Sequence, residues 1–160
     1  MYELKNILVP ISFAPSSYKA IDVAVRLAMA NNAKIYFLYV YKTPMRLYNL
    51  GGALYAEPIE VERAENIKRL DEFVKGKLKK LRSKLEIEEL EVENTSPADA
   101  IKKVAIDKKV DLIVLGHHEE SRLEHLLFGR NINKIVDNAP CDVIVTKTFL
   151  YKKKSERVAA

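Results

Sequence analysis

A chain of 160 residues has the size of one domain with a sizeable core, and 48% hydrophobic with 31% charged residues places it among folded globular proteins rather than disordered ones. No apolar run approaches the roughly 18–20 residues that cross a bilayer, and the lone Cys141 excludes an intrachain disulfide and lacks metal-ligand spacing. The net charge of +5 is modest, and its lysines, with few interleaved aromatics, read as a solvated face that argues against nucleic acid as a partner.

Met1-Tyr2-Glu3-Leu4-Lys5-Asn6 leads straight into a strand-like ILVP with no secretory pattern, so a reducing, cytoplasmic setting is expected. Ile7-Leu8-Val9-Pro10-Ile11 reads as a buried parallel strand, with Pro10 near its carboxyl end where a missing N–H does little harm. Pro15 suits the first turn of a helix over about 15–30, in which Ala20, Ile21, Ala24, Val25 and Ala28 recur at helical spacing. Asn31-Asn32 can take the left-handed conformation that ends it. KIYFLYVY, from Lys34 to Tyr41, is the second strand.

Residues 42–57 lack periodicity and carry Pro44, Gly51 and Gly52. They read as a long, unusually apolar loop, either folded back over the sheet edge or serving as a lid or partner surface. Pro58 opens a long helix down to about Lys84, with Ile67, Leu70, Val74, Leu78, Leu81 and Leu85 on one face and Gly76 inside it. Glu89-Leu90-Glu91-Val92-Glu93 alternates as a strand near an edge does. Ser96-Pro97-Ala98-Asp99 is close to a capping box, and its helix turns Ala98, Ile101, Val104 and Ala105 inward. Leu112-Ile113-Val114-Leu115 and Val143-Ile144-Val145 are the last two strands, with a helix from about Asn131 to Asn138 between them.

The alternation β-α-β-α-β-α-β-α-β predicts a single-domain, open, parallel five-stranded α/β sheet with helices on both faces, over residues 1–148, followed by a basic tail at 149–160. Ligands of such sheets bind at the carboxyl ends of the strands. The phosphate-loop, dinucleotide and nucleophile-elbow signatures are missing. What remains is Gly116 at the end of the fourth strand and Gly129 before the next helix, where backbone can approach a ligand and helix N–H groups can receive an anion.

ILVPIS, VDLIVLGHH and LLFGRNINKIVDNAPCDVIVTK together resemble the universal stress protein family, across nearly the whole chain. The resemblance implies a Rossmann-like sheet of the adenine nucleotide alpha hydrolase kind. It also implies a cleft for ATP or another adenine nucleotide held by a G-x2-G-x9-G-[ST] motif, and dimerisation through the last strand, here Val143–Lys147. Carried over residue by residue, Gly116 and Gly129 match the first and third motif glycines, and Pro10 and Val40 match positions lining the adenosine pocket. Glu119 stands in place of the second glycine, Arg130, followed by Asn131, in place of the phosphate-binding Ser or Thr, Ser12 in place of an acid near the adenosine, and Thr95 in place of a glycine before the Pro97 helix.

A carboxylate about 4 Å from a phosphate charge costs about 1 kcal/mol in water-like surroundings and about 4 at an effective dielectric near 20. A guanidinium at residue 130 can offset part of that or fill the phosphate's space. The expectation is therefore a stress-response or regulatory protein that acts by binding and dimerisation, not an enzyme, with ATP binding weakened or lost. The alternatives are an ATP- or AMP-binding switch that uses Arg130, and a structural dimer module for a protein partner. His117, His118 and His125 lie among carboxylates, but their spacing is no ligand signature, and solvated histidines are expected rather than a metal site.

Overall fold

A computed structural model of the chain describes residues 3–12, 15–41, 45–50, 53–58, 68, 72, 76, 79, 81–118 and 129–148, with backbone alone at 15–16, 45–50, 53–58, 118, 129–131 and 148. Its elements in order are β1 (Asn6–Pro10), α1 (Pro15–Asn31), β2 (Lys34–Tyr41), β3 (Met45–Leu50), β4 (Ala53–Pro58), β5 (Ile87–Glu93), α2 (Pro97–Asp107), β6 (Leu112–His118), α3 (Gly129–Asn138) and β7 (Asp142–Thr148). Five strands form one sheet in the order β5-β2-β1-β6-β7. Every neighbouring pair is parallel.

The strand sequences look continuously apolar because both sheet faces are covered. Alternate residues belong to two different cores. Ile7, Val9, Ile35, Phe37, Leu112 and Val114 pack with Ala20, Ile21, Ala24 and Ala28 of α1. Leu8, Tyr36, Leu38, Ile113 and Leu115 pack with Ile101, Val104 and Ala105 of α2 and Ile135 of α3. Each fully buried aliphatic side chain contributes about 1.5–3 kcal/mol relative to exposure. The helices begin and end where their polar residues allow. Asn32 follows α1 at φ 54°, and the Ser96 hydroxyl at the start of α2 accepts from the Asp99 N–H at 3.4 Å.

Two predicted segments turn out differently or only in part. Strands from the expected irregular loop at 42–57 form an antiparallel hairpin in which Leu50 pairs with Ala53 across Gly51-Gly52, and Pro58, expected to open a helix, instead ends β4 opposite Met45. A two-residue Gly-Gly link between apolar and aromatic runs is a hairpin signal, and the irregular polarity around it masked the alternation. Of the long helix expected before Lys84, Lys68, Glu72 and Gly76 are described and each is helical. Lys68 and Glu72 form an i,i+4 pair at 3.9 Å. Lys79 and residues 81–84, expected to complete that helix, are turn residues instead, and the rest of the expected helix and the tail at 149–160 lie outside the described residues.

The sheet's two edges carry different chemistry. The Ile11 N–H donates to the Leu38 carbonyl at 2.9 Å, so odd β1 positions turn their backbone groups toward β2 and even positions toward β6. Carried through the registers, this alternation leaves Glu89, Glu91 and Glu93 of β5, and Val143, Val145 and Lys147 of β7, with backbone groups pointing out of the sheet. On the β5 side, Lys34 Nζ bridges Glu86 and Glu88, each at 2.8 Å. Lys108 Nζ reaches the same Glu88 at 2.6 Å. Both ammonium groups lie over the Tyr36 ring, 5.0 and 5.5 Å from its centroid. This network ties β2, β5 and the end of α2 together.

Candidate functional site

The strand order places β2 and β5 on one side of β1, and β6 and β7 on the other, so the direction of winding reverses between β1 and β6. A crevice at the carboxyl ends of those strands is where an open α/β sheet receives a ligand. At its base the two strands are held tightly. One oxygen of Asp111 accepts the N–H groups of Lys5 and Asn6, both at 2.8 Å, and the Asp111 N–H donates to the Asn6 carbonyl at 2.9 Å.

Above that base the strands part. The β1–β6 ladder contains only Ile7↔Leu112 and Leu8↔Ile113, whereas β1 stays paired with β2 through Pro10. The next β1–β6 bond in this register would run from the N–H of residue 10 to the Val114 carbonyl, and proline has no N–H. Pro10 therefore ends the ladder. The missing donor costs β1 nothing on its other side, where it stays paired with β2 through Pro10.

Gly116 lies on β6 above the point of separation, opposite Thr146 in the next strand. Thr146 is buried and donates its hydroxyl to the Leu115 carbonyl at 3.1 Å, which holds β7 against this end of β6. Val40, half-buried, packs against the second core at the carboxyl end of β2. Ser12 leaves β1 and turns back to α1. Its N–H donates to the Ser17 hydroxyl at 2.9 Å, and the two hydroxyls are 3.1 Å apart. Ser17 is buried in the first turns of α1 and was not singled out from the sequence. Its place five residues after Ser12 was the available signal. A neutral hydroxyl pair occupies the turn in which a carboxylate would stand.

Gly129 is the first residue of α3, not the residue before it, and Arg130 and Asn131 follow it in that helix's first turn. The helix start supplies free N–H groups; Glu119 lies outside the described residues. His117 and His118 were expected in a loop but are the last two residues of β6. His125 lies outside the described residues, and among those described no group of three or more potential ligands could hold a metal ion.

The Cys141 thiol, half-buried before β7, is pushed up to about 11, first by burial and then by the charges of Asp142 and Asp111. At neutral pH it is a packed thiol, not a nucleophile. No helix among the described residues is long and apolar enough to cross a membrane.

The model of the universal stress protein family matches residues 3–147. A universal stress protein of Methanocaldococcus jannaschii is 31% identical over 146 residues, covering 89% of this chain and 82% of that one. Among solved structures, the universal stress protein UspA from Lactobacillus plantarum superposes with a TM-score of 0.68 at 21% identity, covering 91% of this chain and 99% of that one. A universal stress protein family protein from Arabidopsis thaliana with AMP bound superposes at 0.63 and 18% identity, covering 95% and 97%. With this sheet order, with the ladder ended at Pro10, and with the match running from residue 3 to residue 147, the chain belongs to the universal stress protein family.

Proposed function

We propose that this protein is a cytoplasmic stress-response or regulatory protein that acts by binding and by pairing of two copies through Val143–Lys147, with ATP binding weakened or lost. The observation that carries the ligand half is the turn after β1. Its hydroxyls of Ser12 and Ser17 are within hydrogen-bond distance of each other, so the acceptor facing a ribose or an amine is neutral and already engaged. A carboxylate there would supply two charged oxygens. At the phosphate end, the sequence puts Glu119 where backbone would touch phosphate.

The second reading is an adenine mononucleotide switch. The end of the β1–β6 ladder before Pro10 and the nearby Val40 and Gly116 support it, since they would serve the adenosine end and need no triphosphate cradle. A related fold is known with AMP bound. Under that reading Arg130, with Asn131 beside it, contributes a phosphate contact in place of Ser or Thr.

A thermal-shift screen of the full chain against ATP, ADP, AMP and cyclic AMP tests both. Ligand at a hundred times its dissociation constant stabilises by about 2.7 kcal/mol. The proposal expects no shift with ATP. A shift with AMP alone selects the switch, and an ATP shift at micromolar concentration or steady ATP hydrolysis contradicts the proposal.

A further inference from the structure

Neither β3 nor β4 joins the five-stranded sheet; among the described residues the two form a sheet of their own. A two-stranded hairpin by itself is marginally stable in water, and further strands or a packed face secure it. Its register determines which edge can take another strand. Leu50 pairs with Ala53 across a two-residue link. That pair must exchange its N–H and carbonyl groups, because the other pattern would need a bond between adjacent residues 51 and 52. The backbone groups of Leu50, Tyr48 and Arg46 are therefore turned toward β4, and those of Met45, Leu47 and Asn49 out of the hairpin. On β4 the outward positions are Leu54, Ala56 and Pro58.

The two edges are unequal. Each outward position of β3 has a donor and an acceptor. Pro58 has no N–H, so the β4 edge lacks a donor, and proline on an edge strand discourages pairing there. The charges of the hairpin are balanced as well: Arg46 and Glu57, the only charged residues of β3 and β4, stand opposite each other.

We propose that a second copy of this chain pairs with β3 antiparallel about a two-fold axis at Leu47, giving a four-stranded sheet in the order β4-β3-β3-β4. This contact is separate from the pairing through Val143–Lys147 and does not rest on it. With the axis at Leu47, Met45 falls opposite Asn49 of the second copy and Leu47 opposite its own counterpart. All three are outward positions, so each pair exchanges N–H and carbonyl groups. Arg46 falls opposite Tyr48 of the second copy, so no like charges are set against each other.

Other arrangements use the edges less well. Moving the axis to Met45 or Asn49 runs the second copy past the end of the strand. The same operation on β4, about Ala56, sets Leu54 opposite Pro58, and the Leu54 carbonyl of each copy finds no donor. Setting β3 of one copy against β4 of the next makes a contact that does not close on itself.

The test uses the full chain carrying Val145→Glu, which weakens the pairing through β7 and leaves the hairpin unaltered. Sedimentation equilibrium should still find a dimer. Adding Leu47→Pro should weaken that dimer on the order of thirtyfold, because the two bonds at the axis are lost. Ala56→Pro is the control. Residue 56 stands opposite Leu47, and neither N–H is used within the hairpin, so the two prolines burden the hairpin alike while only one lies on the pairing edge. Ala56→Pro should leave the dimer unchanged, and circular dichroism should show the fold kept in both.

Cross-linking reads the register. Residues that exchange bonds across an antiparallel pair are about 5.5 Å apart, inside the disulfide window of about 4.4–6.8 Å. In a Cys141→Ser background under mild oxidation, Leu47→Cys should therefore cross-link roughly tenfold faster than Asn49→Cys, whose counterpart lies opposite residue 45. A monomer with Val145→Glu overturns the pairing at β3 and leaves that at β7 standing. Equal effects of the two prolines, or faster cross-linking at residue 49, also overturn it. Association equal to the parent's that Leu47→Pro abolishes upholds the pairing at β3 and overturns that at β7.

Discussion

The two edge strands of this sheet bound the same fold and face opposite problems. β5 turns Glu89, Glu91 and Glu93 outward, and the neighbouring Glu88 is bound by two lysines that also cover Tyr36. β7 turns Val143 and Val145 outward and is interrupted only where Lys19 reaches Lys147. One edge carries three glutamates, of which Glu89 is paired with Arg82, and setting it against a second copy of itself would bring like charges together. The other is left apolar over a few residues. The difference lies at the sheet's margins, while both of its faces are packed against helices.

The largest expected effect comes from giving β7 the chemistry of β5. Val145→Glu removes an apolar contact of about 1.5 kcal/mol in each copy, so self-association should weaken on the order of a hundredfold. Sedimentation equilibrium reads this, with circular dichroism to show that the fold is kept; unchanged association would break the comparison.

Next is the network beside β5. Hydrogen bonds from Lys108, then Lys34, hold the Glu88 carboxyl below its usual range. A carboxyl lowered on folding contributes stability above its unfolded value, and that contribution is lost as pH falls through the folded one. Glu88→Gln should therefore cost about 1 kcal/mol at neutral pH, with the difference from the parent shrinking in acid. Chemical denaturation at several pH values checks this, and an equal loss at every pH would contradict it.

Gly76→Ala is the complementary control. A Cβ at this helical position meets nothing within 4 Å, so stability should rise by roughly 0.5–1 kcal/mol with association unchanged. The smallest effect is at Cys141, whose raised pKa predicts slow alkylation at neutral pH, accelerating only as the pH approaches about 11.

The fold was legible because its signals are local and redundant. The runs from Ile7, Lys34 and Leu112 are strands, Asn32 ends α1 in the left-handed region, and Ser96 with Pro97 starts α2. The hairpin was hidden because its strands are short and Arg46, Asn49 and Glu57 break up the apolar positions, so alternation did not stand out from a loop.

At the site, the residues at the strand ends could be named from sequence, but their roles could not. Pro10 read as a tolerated proline, and only the register shows that its missing N–H ends one ladder and spares the other. Ser12 read as a lost acid; that Ser17 lies within its reach depends on how the chain turns into α1. The histidine pair read as loop because a strand's end is set by its neighbour, here β7, and not by its own residues.

Calorimetric titration of the full chain with ATP, repeated with AMP, tests the central claim most directly: the crevice is kept while its charged contacts are changed. The account predicts no ATP affinity at micromolar concentration. Saturable ATP binding with a micromolar or tighter dissociation constant, lost in a variant that blocks the crevice at Gly116, would contradict it.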